Sequence, residues 1–128
     1  MRILLVEDSD SILRMIEALV TARGYEVVGV GTGAKGLEEA FARTPDLVLL
    51  DVNLPGAFDG IEVCRRLRAE PTTRDVPIII ISAMSTDDAK RAAQEAGATA
   101  YYTKPFSPIS LLKEIDSIRR RSGTTPVA

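Results

Sequence analysis

The sequence of 128 residues contains no histidine and no tryptophan, and it has a single cysteine. The lack of histidine excludes zinc sites of the histidine type and every Ser-His or Cys-His nucleophile pair. Cys64 has no partner for an internal disulfide, which fits a reducing cytoplasm. Its position on the apolar stripe of a predicted helix indicates a small core residue.

An excess of charge of one sign and long apolar runs are also absent. The net charge is −2, so no basic surface dominates and direct nucleic-acid binding is not expected. The three arginines at 119–121 are expected to form a solvated helix end. No apolar run approaches the length of a membrane span, and acids follow the first apolar run too early for a signal peptide. We therefore expect a cytoplasmic protein without membrane contact.

The length fits one domain that buries roughly two-thirds of its unfolded surface. We expect this domain to span residues 1–121. The polar segment 122–128 is expected to be a flexible C-terminal tail or linker.

Five short apolar segments alternate with five segments of helical spacing. The expected strands are Ile3–Val6, Glu26–Val30, Asp46–Asp51, Ile78–Ser82 and Ala98–Thr103. This alternation predicts an α/β fold, a doubly wound three-layer sandwich with a parallel sheet and right-handed crossovers.

Two of the helices carry specific expectations. The helix near 86–96 turns mostly alanine inward, which indicates either light anchoring or close packing on the sheet. The last helix, with Pro108 at its first position, is expected to bury Ile109, Leu112, Ile115 and Ile118.

Polar side chains follow four of the five strands. Glu7 and Asp8 follow the first strand, and Asp51, Ser82 and Lys104 end or follow three others. Ligands of open parallel sheets bind beyond the carboxyl ends of the strands, so we expect these groups to meet in one crevice. Three carboxylates and one ammonium group leave a net charge of −2, which matches one divalent cation. Hard oxygen ligands favour Mg²⁺ over a soft metal.

A metal ion beside a carboxylate can support phosphoryl transfer to that carboxylate. Asp51 is the best candidate nucleophile because it stands alone at the end of the central strand. Asp8 would hold the metal, with Glu7 helping directly or through water, and Lys104 and Ser82 would contact phosphate oxygens. Taken singly, an acid such as Asp8 could instead only cap a helix.

The order and spacing of these groups resemble the receiver domain of bacterial two-component response regulators, from Arg2 to about Arg121. The matching segments are Leu5-Val6-Glu7-Asp8, Asp51-Val52-Asn53-Leu54-Pro55, Asp59-Gly60, Ser82-Ala83 and Lys104-Pro105-Phe106. The resemblance implies a five-stranded sheet in the flavodoxin-like order 2-1-3-4-5. It also implies that Asp51 accepts the phosphoryl group and that Asp8, Asp51, the backbone carbonyl of Asn53 and Glu7 hold Mg²⁺.

The resemblance further implies a conformational switch. Ser82 would reorient toward the phosphoryl group and Tyr101 would turn inward on activation. Lys104 matches the lysine of the family site, and its bond to Pro105 is expected to be cis. Strand alternation would point Tyr102 in the opposite direction from Tyr101.

The implied partners follow from this function. Without a histidine of its own, the chain needs a phosphoryl donor, either a sensor histidine kinase, a histidine phosphotransfer protein or a small acyl phosphate. The signal would pass to a downstream protein or a fused output domain through the last helices and strand. That last helix-strand-helix face is also a candidate surface for a homodimer. Such a protein would catalyse only its own phosphorylation and slow dephosphorylation.

One segment departs from the family pattern, because the loop Pro55–Gly60 is one residue longer than usual. Three alternative functions stay open. The chain could be a receiver-like interaction module without phosphorylation, or a Mg²⁺-dependent phosphatase with Asp51 as nucleophile. In the latter case Asn53 would stand where a general acid is needed. A flavodoxin-like nucleotide binder is disfavoured because Glu7 and Asp8 would repel a bound phosphate.

Overall fold

The computed structural model describes residues 1–121, in which five strands and five helices alternate along the chain. The strands are β1 (Arg2–Val6), β2 (Glu26–Val30), β3 (Leu47–Asp51), β4 (Ile78–Ser82) and β5 (Ala100–Thr103). The helices are α1 (Asp10–Thr21), α2 (Gly33–Ala42), α3 (Gly60–Ala69), α4 (Asp87–Glu95) and α5 (Pro108–Arg121). The predicted tail at 122–128 lies outside the described residues.

The five strands form one parallel sheet in the order β2-β1-β3-β4-β5, which confirms the predicted fold. The register aligns the carboxyl ends of the inner strands, because Val6 pairs with Leu50 and Asp51 pairs with Ile81. Ser82 pairs with Thr103 in the same way. The polar residues that end or follow these strands are therefore brought to a single edge of the sheet.

Two apolar layers cover the sheet, one on each face. Leu4, Val6, Val48 and Leu50 face the layer of α2, α3 and α4, whereas Ile3, Leu5, Leu47 and Leu49 face α1 and α5. The near-continuous apolar sequence of the inner strands follows from this coverage on both sides. Among residues 1–121, no helix combines the length and the apolar character that a membrane crossing needs.

Cys64 is a core residue of α3, as predicted. Its side chain is fully buried in the layer of α2, α3 and α4, and its thiol donates a hydrogen bond to the carbonyl of Ala96 at 3.3 Å. Burial raises the pKa of the Cys64 thiol above its ordinary value, which keeps it protonated and unreactive.

Two predicted details of the last elements are wrong. β5 begins at Ala100 and not at Ala98. In α5 the buried stripe is Leu111, Ile115 and Ile118, while Ile109 is 68% exposed and Leu112 is only partly buried. Spacings of four and three residues keep side chains on one helical face, whereas a strict spacing of three drifts around the helix and misplaces Ile109.

The alanine face of α4 points toward the core. Ala93 and Ala96 are buried, and Ala89 and Ala92 are partly buried. Small side chains bury little apolar area each, so burial anchors this helix weakly compared with α5, which buries two isoleucines and a leucine. Mobility of α4 stays a prediction.

Candidate functional site

Three carboxylates lie together at the carboxyl edge of the sheet, as the strand ends predicted. Glu7 extends β1, with its backbone N–H donating to the carbonyl of Val30 at 3.0 Å, and Asp51 is the last residue of β3. One carboxylate oxygen from each of Glu7, Asp8 and Asp51 lies within 4.8 Å of the others. Glu7 is 2% exposed and Asp51 is 4% exposed, whereas Asp8 faces solvent.

Lys104 brings a positive charge to the two buried acids. Its Nζ lies 3.0 Å from Oε1 of Glu7 and 3.1 Å from Oδ2 of Asp51. The backbone N–H of Lys104 donates to the carbonyl of Ser82 at 2.7 Å, which ties the end of β5 to the end of β4. The peptide bond from Lys104 to Pro105 is cis, as the resemblance implied.

Backbone N–H groups orient the same two carboxylates. The N–H of Ser9 donates to Oε2 of Glu7 at 3.1 Å, and the N–H of Asn53 donates to Oδ1 of Asp51 at 3.2 Å. Each buried carboxylate therefore has one oxygen on a backbone donor and the other on Lys104. Sequence reasoning missed these backbone donors because a side-chain pattern carries no signal for them.

The charges of the site perturb two pKa values. Burial raises the pKa of Glu7 above its ordinary value of 4.5, and the neighbouring Asp51 raises it further, against hydrogen bonds from Ser9 and Lys104 that lower it. For Lys104, burial works to lower the pKa, but hydrogen bonds to Glu7 and Asp51 outweigh burial and raise it above 10.5. Lys104 thus keeps its charge at neutral pH.

The donor set fits a hard divalent cation. It consists of carboxylate oxygens within 4.8 Å of one another, and the solvent-facing Asp8 leaves one side of the set open to water. Mg²⁺ binds a few carboxylates, carbonyls and several waters, and it does not need nitrogen or sulfur ligands. The residues present therefore suit Mg²⁺ better than a soft metal.

Replacing Glu7 by glutamine is expected to stabilise the metal-free protein at neutral pH. Because the pKa of Glu7 is raised on folding, its ionised form disfavours the folded state. Well below pH 4.5 the side chain is neutral in both states, so the variant and the wild type should approach the same melting temperature as the pH falls. As the pH rises through the raised pKa, the wild type should lose stability relative to Glu7→Gln.

The measurement is thermal unfolding of both proteins in a chelator between pH 4 and 8. At pH 7 we expect the variant to melt a few degrees higher, the shift that about 1 kcal/mol gives a domain of this size. Glu17→Gln, a change of the same kind on α1, is the control for the loss of one carboxylate elsewhere in the protein. An equal or lower melting temperature for Glu7→Gln throughout the range would contradict the expectation.

Ser82 and Tyr101 are linked through the backbone of Met84. The hydroxyl of Ser82, which is fully buried, accepts from the N–H of Met84 at 3.1 Å. The hydroxyl of Tyr101 donates to the carbonyl of the same residue at 2.6 Å. Tyr101 packs on the layer of α2, α3 and α4, and Tyr102 packs on the opposite layer, which confirms their predicted opposite directions.

The start of α3 lies against the backbone of the candidate acceptor. Asp59 caps the helix by accepting from the N–H of Glu62 at 2.8 Å, and the N–H of Gly60 donates to the carbonyl of Val52 at 2.8 Å. A Cβ at Gly60 would lie 2.1 Å from the carbonyl oxygen of Asp51. Only glycine fits this contact.

Replacing Gly60 by alanine is expected to cost about 3 kcal/mol of folding free energy, the upper part of the range for overpacking. The methyl group would collide with main-chain atoms of Asp51 and Val52, which have no rotamer to move away. Gly31→Ala is the matched control, since a Cβ there meets no atom within 4 Å. Urea unfolding of both variants makes the measurement, and equal midpoints would contradict the prediction.

The family model of the response regulator receiver domain matches residues 3–116. The chain belongs to this family. Receiver domains are signalling modules that interact with histidine kinases and output domains, and the cluster of Glu7, Asp8 and Asp51 fits their phosphorylation site.

Two relatives show how much of a longer protein this receiver domain matches. It is 39% identical over 119 residues to the response regulator PleD of Caulobacter vibrioides, covering 93% of this chain and 26% of that protein. It is 40% identical over 121 residues to the phosphate regulon transcriptional regulatory protein PhoB of Pseudomonas aeruginosa, covering 94% of this chain and 52% of that protein. The chain thus spans a quarter to a half of these relatives.

A solved structure resembles the whole receiver domain. It is the receiver domain of the sensor histidine kinase PA1611 from Pseudomonas aeruginosa, with a TM-score of 0.82 and 33% identity. The match covers 93% of this chain and 94% of that one. That structure has a magnesium ion coordinated in its active-site cleft.

Proposed function

We propose that this receiver domain accepts a phosphoryl group on Asp51, in a Mg²⁺-dependent reaction, from a sensor histidine kinase or a histidine phosphotransfer protein. The observation that carries the proposal is the placement of the Asp51 carboxylate. It lies beside two other acids at the sheet edge and 3.1 Å from the ammonium group of Lys104. The working compartment would be the cytoplasm.

The reaction needs one bond to form and one to break. An oxygen of Asp51 attacks phosphorus, the bond from phosphorus to the donor imidazole nitrogen breaks, and the electron pair stays on that nitrogen. Asp51 Oδ1 is held by the N–H of Asn53, which orients the carboxylate for attack. The product is an acyl phosphate.

The acids would hold the cation that this transfer needs. Asp8, Asp51 and the backbone carbonyl of Asn53 are the proposed Mg²⁺ ligands, with Glu7 contributing directly or through water. When bound, Mg²⁺ would neutralise charge on the transferring group. Its positive charge would also favour the ionised form of Glu7, whose pKa burial raises.

Lys104 and Ser82 are the proposed partners of the phosphoryl oxygens. Lys104 already lies at the acceptor carboxylate and keeps its charge because its pKa is raised. A rotation of the Ser82 side chain toward the phosphoryl group would break the hydrogen bond that its hydroxyl accepts from the N–H of Met84, and the O–H would then donate to a phosphoryl oxygen. Since Met84 also accepts from Tyr101, this exchange would alter the position of Tyr101.

The proposed output is a changed surface on α4, β5 and α5. The weakly buried α4 is the element that the movement of Met84 and Tyr101 would reach first. This surface would address a downstream protein, a fused output domain or a second copy of the chain. The protein would turn over no separate substrate, which distinguishes it from the phosphatase alternative.

The test is incubation with a small acyl phosphate, with Mg²⁺ and with a chelator, followed by intact-mass measurement. We expect the mass of one added phosphoryl group in Mg²⁺, its removal by hydroxylamine, and no uptake in the chelator. If the protein takes up a phosphoryl group neither from an acyl phosphate nor from a phosphorylated kinase, the result would favour the interaction module. Steady release of phosphate from a phosphate ester would favour the phosphatase.

A further inference from the structure

We propose that Phe58 is a positioning residue for the metal side of the site. It would hold the lengthened loop Pro55–Gly60 so that the extra residue does not disturb Asn53, whose carbonyl is a proposed ligand. This inference rests on the proposed function, because it concerns affinity for Mg²⁺ at that site.

The end of the loop is fixed directly beside the acceptor. Gly60 donates to the carbonyl of Val52, the residue that follows Asp51, at 2.8 Å, so the two ends of the segment are joined. The side chain of Asp59 caps α3 at Glu62. Asn53 lies inside this closed segment, and its carbonyl position depends on how the segment is held.

Phe58 attaches the segment to the neighbouring helix. Its side chain packs on the layer of α2, α3 and α4. At the first residue of α2, a Cβ on Gly33 would lie 2.7 Å from the carbonyl oxygen of Phe58 and 2.8 Å from Cγ2 of Val63. The loop and α2 are therefore in backbone contact, and a side chain at 33 would push them apart.

A charged group also lies over the Phe58 ring. The guanidinium carbon of Arg66 lies 4.1 Å from the ring centroid, within cation–π range. Arg66 is itself held by Glu62, whose Oε2 accepts from its Nε at 2.9 Å. Glu62 in turn is the residue that Asp59 caps. The four residues thus form a closed set of contacts around the loop exit.

The three residues before Phe58 make no comparable attachment to the core. Pro55, Gly56 and Ala57 are exposed, and Gly56 has a positive φ of 94° that suits an outward turn. At the start of the segment Leu54 packs on the same layer, and its N–H donates to the carbonyl of Val52 at 3.1 Å. Without Phe58, residues 55–59 would have no apolar side chain packed on this layer and would sample more conformations.

The experiment is a Mg²⁺ titration of the full chain, in which the amide NMR chemical shifts of Asn53 and Asp59 report binding. We expect Phe58→Ala to weaken Mg²⁺ binding about 10-fold, the lower end of effects seen for residues that support metal ligands. Phe58→Leu, which keeps apolar packing, should recover most of the affinity. Phosphoryl uptake by Phe58→Ala should return to the wild-type rate at saturating Mg²⁺.

Phe41→Ala is the matched control, because this phenylalanine of α2 is 45% exposed and lies outside the loop contacts. Thermal unfolding establishes that each variant is folded at the assay temperature. Gly33→Ala is a further variant that perturbs the contact between the loop and α2 from the α2 side. The inference is overturned if folded Phe58→Ala binds Mg²⁺ within twofold of the wild type, or if Phe41→Ala weakens binding equally. If the wild type itself neither binds Mg²⁺ nor accepts a phosphoryl group, the proposed function fails instead.

Discussion

Replacing Asp51 by asparagine is expected to abolish phosphoryl uptake, with the rate falling roughly a thousandfold or more, as removal of a nucleophile does in other covalent mechanisms. An amide oxygen is a poor nucleophile, so the variant lacks the proposed acceptor. Glu7 is held by a backbone N–H and Lys104 as Asp51 is, but it follows β1 and not the central strand β3, and Asp8 faces solvent. The Asn53 N–H still has an amide oxygen to bond, so the local backbone should keep its shape.

The measurement is phosphoprotein formation from a phosphorylated kinase and from a small acyl phosphate, with Mg²⁺ present. Asp75→Asn, an exposed change before β4, is the control and should label at the wild-type rate. Circular dichroism should show that Asp51→Asn remains folded. Labelling of Asp51→Asn at the wild-type rate would show that another residue accepts the phosphoryl group.

The strand ends made the site predictable. Apolar segments such as Leu47–Leu50 and Ile78–Ile81 are too short for helices and are apolar throughout, as strands covered on both faces must be. Once the strands are parallel, the residue after each one is forced to the same edge. Glu7, Asp51 and Lys104 therefore follow from the pattern without any long-range information, although the strand order came from the family resemblance.

The helix details were less predictable because they depend on the exact helical phase. Ile109 and Leu111 are both apolar and two residues apart, so the sequence does not decide which of them faces the sheet. In the structure Leu111 is buried and Ile109 is exposed.

The contacts that hold the site carry even less sequence signal. Every residue except proline has a backbone N–H group. Whether the N–H groups of Ser9, Asn53 and Met84 bind a site residue therefore depends only on the turn geometry. Gly60 was recognisable from the Asp-Gly pair, but its contact with the Asp51 carbonyl required coordinates. The same holds for Arg66 and Phe58, which lie eight positions apart in sequence.

Replacing Lys104 by glutamine is expected to move metal binding and phosphoryl transfer in opposite directions. Removal of a positive charge 3.0 Å from Glu7 and 3.1 Å from Asp51 leaves the acid cluster more negative, so Mg²⁺ should bind about fivefold more tightly, on the order of 1 kcal/mol. Phosphoryl uptake at saturating Mg²⁺ should nevertheless fall roughly 100-fold, because a charged donor to the phosphoryl oxygens is lost.

The same change should destabilise the metal-free protein, because it leaves two buried carboxylates without their ammonium partner. The free energy of unfolding should fall by about 2 kcal/mol. This is below the usual cost of breaking a fully buried pair, because the Lys104 side chain is 19% exposed. Because the pKa of Lys104 is raised on folding, this contribution is present below pH 10.5 and disappears as the pH rises through the folded-state pKa. The two proteins should therefore differ less in stability at strongly alkaline pH.

Three measurements separate the two roles of Lys104: a Mg²⁺ titration, the labelling rate at saturating Mg²⁺, and urea unfolding in a chelator. Lys113→Gln, on the exposed side of α5, is the control and should leave all three unchanged. If Lys104→Gln bound Mg²⁺ more weakly and regained its labelling rate at high Mg²⁺, the lysine would be supporting the metal site. Tighter Mg²⁺ binding combined with slow labelling would show that the charge of Lys104 acts on the phosphoryl group.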